Sequence, residues 1–267
     1  MINQYIEYTP TKVTDAVRLF IKSREDRSPK RVRNLRRHLG ALEDKYGDRT
    51  LDSIQPRHLE GIISSKKWSA RTSNIWLTDL ETFWKWAMRR AGFAKATPVE
   101  HVERKRVKSK EPEILTPEQA SELLETAPEH RRGILAVQMF AGLRPTEAHK
   151  FTLGDMRDGG IVVNSPKTGM RRFVEIPGNL YEMLHNGDFH FPAPSCPKWF
   201  PKITRQLSFT YRQGMMRHSY VSYHYALGRD KLATAANSGH RVETMDQFYR
   251  AVVTHEQAKE YFSVYVD

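Results

Sequence analysis

The sequence predicts a mainly α-helical protein with one small β-hairpin, divided into two domains, residues 1–100 and 114–267, around a basic linker at 101–113. Three observations lead there. Apolar residues recur at three- and four-residue spacing through the first hundred positions, the period of helices that bury one face. β-rich runs are confined to two short segments between 160 and 176. Charge is unevenly spread: residues 1–110 hold 25 basic and 13 acidic side chains, whereas residues 111–267 hold 18 of each.

In the first domain, Val17, Phe20 and Ile21 share the face of a helix that begins near Thr14. A second helix runs from Ser28 to Tyr46, with Pro29 at its start and Gly47 just past its end, and carries Val32, Leu35, Leu39 and Leu42 as its core stripe. A short helix follows over 56–63. A longer one over 70–92 is expected to bury Ile75, Leu80, Phe83, Trp84 and Ala87, its aromatics serving as core and not as platforms for bases. The 101–113 segment is rich in Lys and Arg, a linker composition.

The second domain opens at Thr116-Pro117-Glu118-Gln119, a capping sequence, and continues helical to Phe140. Residues 160–164 and 172–176 then read as two strands joined by a turn containing Pro166 and Gly169. Residues 187–201, with four prolines, read as a loop. Helices resume at about Met215, and 256–266 form the last one, with Ala258, Tyr261, Phe262 and Tyr265 on one face.

Composition removes several classes. A hydrophobic share of 39% with 28% charged residues fits a folded globular chain and not a disordered tail. No apolar run approaches the roughly 18 residues of a spanning helix, and the N-terminal residues lack a basic flank before an apolar stretch, so neither membrane span nor secretory signal is expected. Cys196 is the single cysteine; it has no disulfide partner within the chain and cannot build a thiolate metal site. A cytoplasmic location is expected. The formal charge of +12, concentrated before residue 111, suits a polyanion such as nucleic acid, although a merely solvated basic face would carry the same charge. No amphipathic Lys-rich terminal helix accompanies it, which disfavours a membrane surface.

Motifs narrow the chemistry. Ser165-Pro166-Lys167-Thr168-Gly169 lacks the first glycine of a phosphate loop, His255-Glu256 is not followed by a metal-binding histidine, and the acidic residues form no obvious two-metal cluster. A basic chain without these motifs can still act on a phosphodiester if it supplies cationic clamps, a proton donor and a side-chain nucleophile. Those types occur in order: Arg144 after Gly142 with Glu147 three residues on, Lys167 in the hairpin turn, Arg217 at the start of a helix, His240 after Gly239, and Tyr249 nine residues later.

These segments resemble those of the tyrosine recombinases, the lambda-integrase-like phage integrases. AGLRPTEAHKFTLGDM is similar to their first arginine box, SPKTGMRRFVEIP to the lysine hairpin, MRHSYVSYHYA to the second arginine box and SGHRVETMDQFY to the box that ends in the nucleophile. Residues 10–100 are similar to the family's helical, SAM-like core-binding domain, so the resemblance spans nearly the whole chain. It implies site-specific cutting and rejoining of double-stranded DNA through a 3′-phosphotyrosyl intermediate, without metal, nucleotide or other cofactor. It also implies a homotetramer on DNA, DNA-bending accessory proteins and a place in a mobile element.

By the same resemblance, Tyr249 is the nucleophile, Arg144 and Arg217 grip the scissile phosphate, Lys167 protonates the leaving 5′-oxygen, His240 donates to phosphate or assists the tyrosine, and Glu147 orients Arg144 or His240. Planar guanidiniums match two phosphate oxygens and keep their charge. A phenol with an ordinary pKa of about 10 needs help in losing its proton. The DNA-binding residues are expected to be Lys30, Arg31, Arg33, Arg36 and Arg37 on the second helix, Arg71, and Arg104, Lys105 and Arg106 in the linker.

One position departs from the pattern. Gly214 stands where the family usually has a histidine, three residues before the second arginine. His218 lies about 100° round a helix from Arg217 and is not a simple replacement, which leaves Arg212 and Gln213 as nearer candidates. Gly214 therefore keeps a second reading open, that of a catalytically degenerate, recombinase-like DNA-binding protein. A tyrosine-type topoisomerase is disfavoured by the short length, and an RNA-binding module by the lack of an RNP or KH signature. Tyr261 and Tyr265 rank low as rival nucleophiles. The last helix is expected to dock on a neighbouring protomer, so that its deletion impairs assembly on DNA and leaves the monomer folded.

Overall fold

The computed structural model describes residues 7–107, 111–164, 169, 171–186, 199–247 and 253–266. The chain divides into two compact units, Met1–Ser109 and Lys110–Asp267.

The first unit is helical: α1 (Val13–Lys22), α2 (Pro29–Tyr46), α3 (Pro56–Lys66) and α4 (Ala70–Trp86), the last continued by a π turn over Ala87–Ala91. Ser28 and Ser69 each accept a backbone N–H from the residue three positions on and so cap α2 and α4. Phe20, Leu39, Leu42, Leu59, Trp76, Leu80, Phe83 and Trp84 are fully buried, and the Phe20 and Phe83 rings meet edge-on at 5.3 Å. Ile75, expected in this core, is 48% exposed. The inward stripe of α4 runs through positions 76, 77, 80, 83 and 84 at helical spacing, which points residue 75 outward.

The start of the basic segment belongs to this unit. Val102 is buried in its core. Asn74 on α4 brackets Lys105, accepting its N–H at 3.1 Å and donating to its carbonyl at 2.8 Å. Arg104 donates to Thr78 Oγ1, to the Asn74 carbonyl and to Glu81 Oε2, each at 3.0 Å.

The second unit holds α5 (Pro117–Thr126), α6 (Glu129–Phe140), α7 (Pro145–Ala148), β1 (Met156–Arg157), β2 (Gly160–Asn164), β3 (Arg171–Glu175), α8 (Gly178–Asn186), α9 (Phe200–Thr204), α10 (Met215–Gly228), α11 (Lys231–Ser238) and α12 (His255–Tyr261). The reciprocal cap at Thr116 and Gln119 forms as the sequence predicts. The three strands make one antiparallel sheet in the order β1-β2-β3, with Ile161 opposite Val174 and Val163 opposite Arg172. Strand β1, only two residues long, and helices α7, α8 and α9 are additional to the expected elements; Phe200 and Pro201 are helical where a loop is predicted.

Helix α10 is the axis of this unit and packs against α6, α11 and α12. It is buried on most of its circumference, including Arg217, Tyr220, Val221 and Tyr223. The last helix also belongs to this core. Ala258 and Tyr261 are fully buried, the Tyr261 ring stacks on Tyr223 with centroids 4.1 Å apart, and its hydroxyl donates to the Met139 carbonyl at 3.1 Å. Two members of the expected stripe, Ala258 and Tyr261, are thus satisfied within their own chain, while Tyr265, past the end of the helix, stays 38% exposed.

Candidate active site

The site begins where α6 ends. Gly142 has φ +62°, and a Cβ there would overlap the ring of Tyr220, so the turn that delivers Arg144 accepts only glycine without displacement. Arg144 caps α7. Glu147, one turn on, accepts the Arg144 backbone N–H at 2.9 Å and its guanidinium at 2.8 Å. The Glu147 side chain is 1% exposed.

A second guanidinium reaches the same carboxylate. Arg172 on β3 donates from Nη1 to Glu147 Oε1 at 3.1 Å and from Nη2 to Oε2 at 2.8 Å. The strand alternation explains its aim: Arg172 and Val174 lie on the same, inward face of β3. Held by two cations and a backbone amide, and despite its burial, Glu147 titrates at about 2, well below the ordinary carboxylate.

All three arginines meet the C-terminus of α11. Arg172 Nε donates to the Asn237 carbonyl at 2.9 Å, Arg217 Nη2 to the Ser238 carbonyl, and Arg144 Nη2 to the Gly239 carbonyl at 2.6 Å. Arg217 Nη1 also donates to the Gly142 carbonyl. The last carbonyls of a helix have no partner within it and carry the negative end of its dipole, so three successive ones make a natural receptor for cations.

Arg217 is 9% exposed. Burial, with Arg144 and Arg172 beside it, lowers its pKa to about 9, which leaves it charged at neutral pH. His240 follows Gly239, and its two ring nitrogens lie 3.4 and 3.5 Å from Arg217 Nη2, with Nδ1 2.9 Å from Ser238 Oγ. Burial and the nearby Arg217 and Arg144 push its pKa down to about 3, so His240 is a neutral imidazole. Three guanidiniums are therefore gathered near one carboxylate, Arg144 and Arg172 paired with it and Arg217 held by the Gly142 and Ser238 carbonyls. The arrangement is short of negative charge and suited to bind an anion.

Of the site residues expected from sequence, Arg144, Glu147, Arg217 and His240 come together; Lys167 and Tyr249 lie outside the described residues. Arg172 belongs to the cluster and was missed by motif reading; its place two residues before the apolar Val174 on a strand was the available signal. Arg212 and Gln213 are exposed, and Arg212 Nε pairs with Glu113 at 2.7 Å. Tyr261 is fully buried and Tyr265 is 38% exposed.

In the first unit, Lys30, Arg33, Arg36, Arg37 and Arg71 are exposed, as are Arg104, Lys105 and Arg106. Arg31 is anchored: its Nη2 meets Asp79 Oδ1 at 2.6 Å, while the other oxygen of that buried carboxylate lies 2.6 Å from His38 Nδ1. Among the described residues no group of His, Cys, Asp and Glu is arranged to hold a metal, and no helix is long and apolar enough to cross a membrane.

No family model and no curated protein matches the sequence. Solved structures do match in fold. A lambda integrase dimer bound to a COC′ core site superposes with a TM-score of 0.73 at 14% identity, covering 92% of this chain and 79% of that one. A lambda integrase tetramer bound to a Holliday junction gives 0.70 at 14% identity over 90% and 80% of the two chains. The Tn1549 transposon integrase in complex with transposon right end DNA gives 0.73 at 15% identity over 93% and 98%. The likeness to tyrosine recombinases carried by the four sequence boxes thus extends to the three-dimensional fold, which is that of lambda integrase and the Tn1549 integrase.

Proposed function

We propose that the protein is a site-specific DNA recombinase that cuts and rejoins duplex DNA through a 3′-phosphotyrosyl intermediate. The observation that supports this reading is the convergence of Arg144, Arg172 and Arg217 on the carbonyls at the end of α11, with Glu147 paired to the first two. In this reading the scissile phosphate lies against Arg144 and Arg217, which stabilise the charge that builds up on its nonbridging oxygens. The Tyr249 oxygen attacks phosphorus as its proton leaves; the bond from phosphorus to the 5′-oxygen breaks, and Lys167 gives that oxygen a proton. The ester conserves the energy of the broken bond, so a second 5′-hydroxyl can reverse the step on a new strand. Neutral His240 donates to a phosphate oxygen or receives the tyrosine proton.

Exposed Lys30, Arg33, Arg36, Arg37, Arg71, Lys105 and Arg106 give the first unit a salt-sensitive hold on the backbone. Arg31 and Arg104 serve the same hold from anchored positions. The domain limits at 100 and 114, assembly as a tetramer on DNA and help from DNA-bending proteins belong to the same proposal.

The test begins with selection of the recognised sequence from random DNA. A duplex of that sequence, nicked close to the crossover point, then traps cleaved product. The wild type is expected to form a covalent protein–DNA adduct and Tyr249→Phe none. A wild type that binds the site tightly and forms no adduct supports the DNA-binding-only alternative; relaxation of supercoils without site preference supports a topoisomerase.

A further inference from the structure

Gly214 caps the N-terminus of α10 with φ +96°, and the space over it is taken. His218, one turn into the helix, donates its backbone N–H to the Gly214 carbonyl at 2.8 Å, and its imidazole folds back across the glycine. A Cβ built on Gly214 would meet His218 Cε1 at 3.0 Å and Nε2 at 3.2 Å. The ring therefore stands where a side chain from position 214 would begin. With no side chain at Gly214, the helix end leaves room for the ring there.

The ring lines a cavity of about 540 Å³ in the second unit, a largely apolar space bordered by Trp199, Phe200 and Ile134 that Arg217, His218 and His240 also line. Its electrostatics match those of the site. Burial and the Arg217 charge lower the His218 pKa, opposed by a hydrogen bond to the Glu113 backbone, and His218 is close enough for its charge to be felt at His240. An imidazole fixed in this way loses little conformational freedom when it meets a ligand.

We propose that His218 is a further phosphate-binding residue of the active site, its imidazole reaching over Gly214 to contact the oxyanion held by Arg217 and His240. This inference rests on the recombinase reading for its substrate, a DNA phosphodiester, but its geometry requires only an anion in the cavity. An approaching anion favours the protonated ring, which can donate to the Glu113 carbonyl and to the phosphate together.

Two measurements test it. In the first, inorganic phosphate is titrated into the DNA-free protein while the imidazole resonances are followed. Those of His218 are expected to shift with the same saturation curve as His240 in the wild type, and the phosphate affinity to drop several-fold in His218→Phe, which fills the same space without a donor. His218 resonances that stay fixed while His240 saturates, or phosphate that binds neither, overturn the inference. In the second, single-turnover adduct formation on the nicked duplex, with protein in saturating excess, is expected to slow roughly 10²-fold in His218→Phe and less in His218→Gln, which keeps a donor. Equal rates in wild type and His218→Phe overturn it. Absence of adduct with the wild type defeats the recombinase reading instead, and the phosphate titration still decides the role of His218.

Discussion

Arg172 grips both oxygens of Glu147, at 3.1 and 2.8 Å, although β3 and α7 bring these residues together from 25 positions apart. Arg144 holds the same carboxylate from within its own turn at 2.8 Å. Glu147 is thus the hinge pin between the hairpin and the first arginine, and much of the site's order rests on it.

Arg172→Met leaves Glu147 with one guanidinium and the Asn237 carbonyl without its donor. A loss of about 3 kcal/mol in folding stability is expected from breaking this buried pair. Arg172→Lys keeps the charge and loses the two-pronged geometry, so it should recover part of the stability but little of the adduct formation. Urea unfolding alongside the nicked-duplex assay checks both; a Lys variant as active as wild type would show that the fork is dispensable.

Acid should unfold the protein in two overlapping stages. The folded-state pKa of His240, about 3, lies below its ordinary 6.5, so the unfolded chain takes up a proton first and stability drains as pH falls from about 6.5 toward 3. His218 and His224, also lowered by burial, act in the same sense. Glu147, at about 2 against 4.5, adds a loss between those values. Urea midpoints at pH 7.5 and 5 should therefore differ less for His240→Gln than for wild type. Correspondingly, the His240 resonances of the DNA-free protein should not titrate between pH 5 and 8.

Tyr261→Ala should cost about 3–5 kcal/mol, because a fully buried ring stacked on Tyr223 leaves a cavity. Removal of residues 256–267 should prevent stable folding of the monomer, seen as loss of near-ultraviolet circular dichroism. A truncated chain that folds normally and fails only to assemble on DNA would support the docking role that the sequence predicts.

Lys30→Ala or Arg36→Ala should weaken DNA binding by similar factors on all sequences and reduce the slope of log affinity against log salt by about 1 each. Binding titrations at several salt concentrations read this directly. A loss confined to one sequence would mean that the side chain contacts a base edge.

The sequence was informative wherever the determinants are local. Thr116 with Gln119 and Ser28 before Pro29 announce helix starts, and Arg144, Glu147, Arg217 and His240 stand in recognisable short segments. What escaped depends on tertiary geometry. Arg172 takes its place from a carbonyl and a carboxylate distant in sequence, the His218 ring from the absence of a side chain at Gly214, and Val102 from the core of the first unit, a burial that its basic neighbours conceal. Ile75 is a matter of helical phase: with Trp76 and Leu77 adjacent, composition alone does not tell which of the three faces outward.

The end of α11 fixes the three cations through main-chain oxygens at 237, 238 and 239, and not through the side chains of those residues. Point substitutions at 237 and 238 leave their oxygens in place, whereas one at Gly239, which has φ +62° and abuts Arg172, or the gain or loss of a single amino acid, would disturb the register of the guanidiniums. The same wiring makes α11 a single lever: rotating or retracting this helix would displace Arg144, Arg172 and Arg217 in one movement.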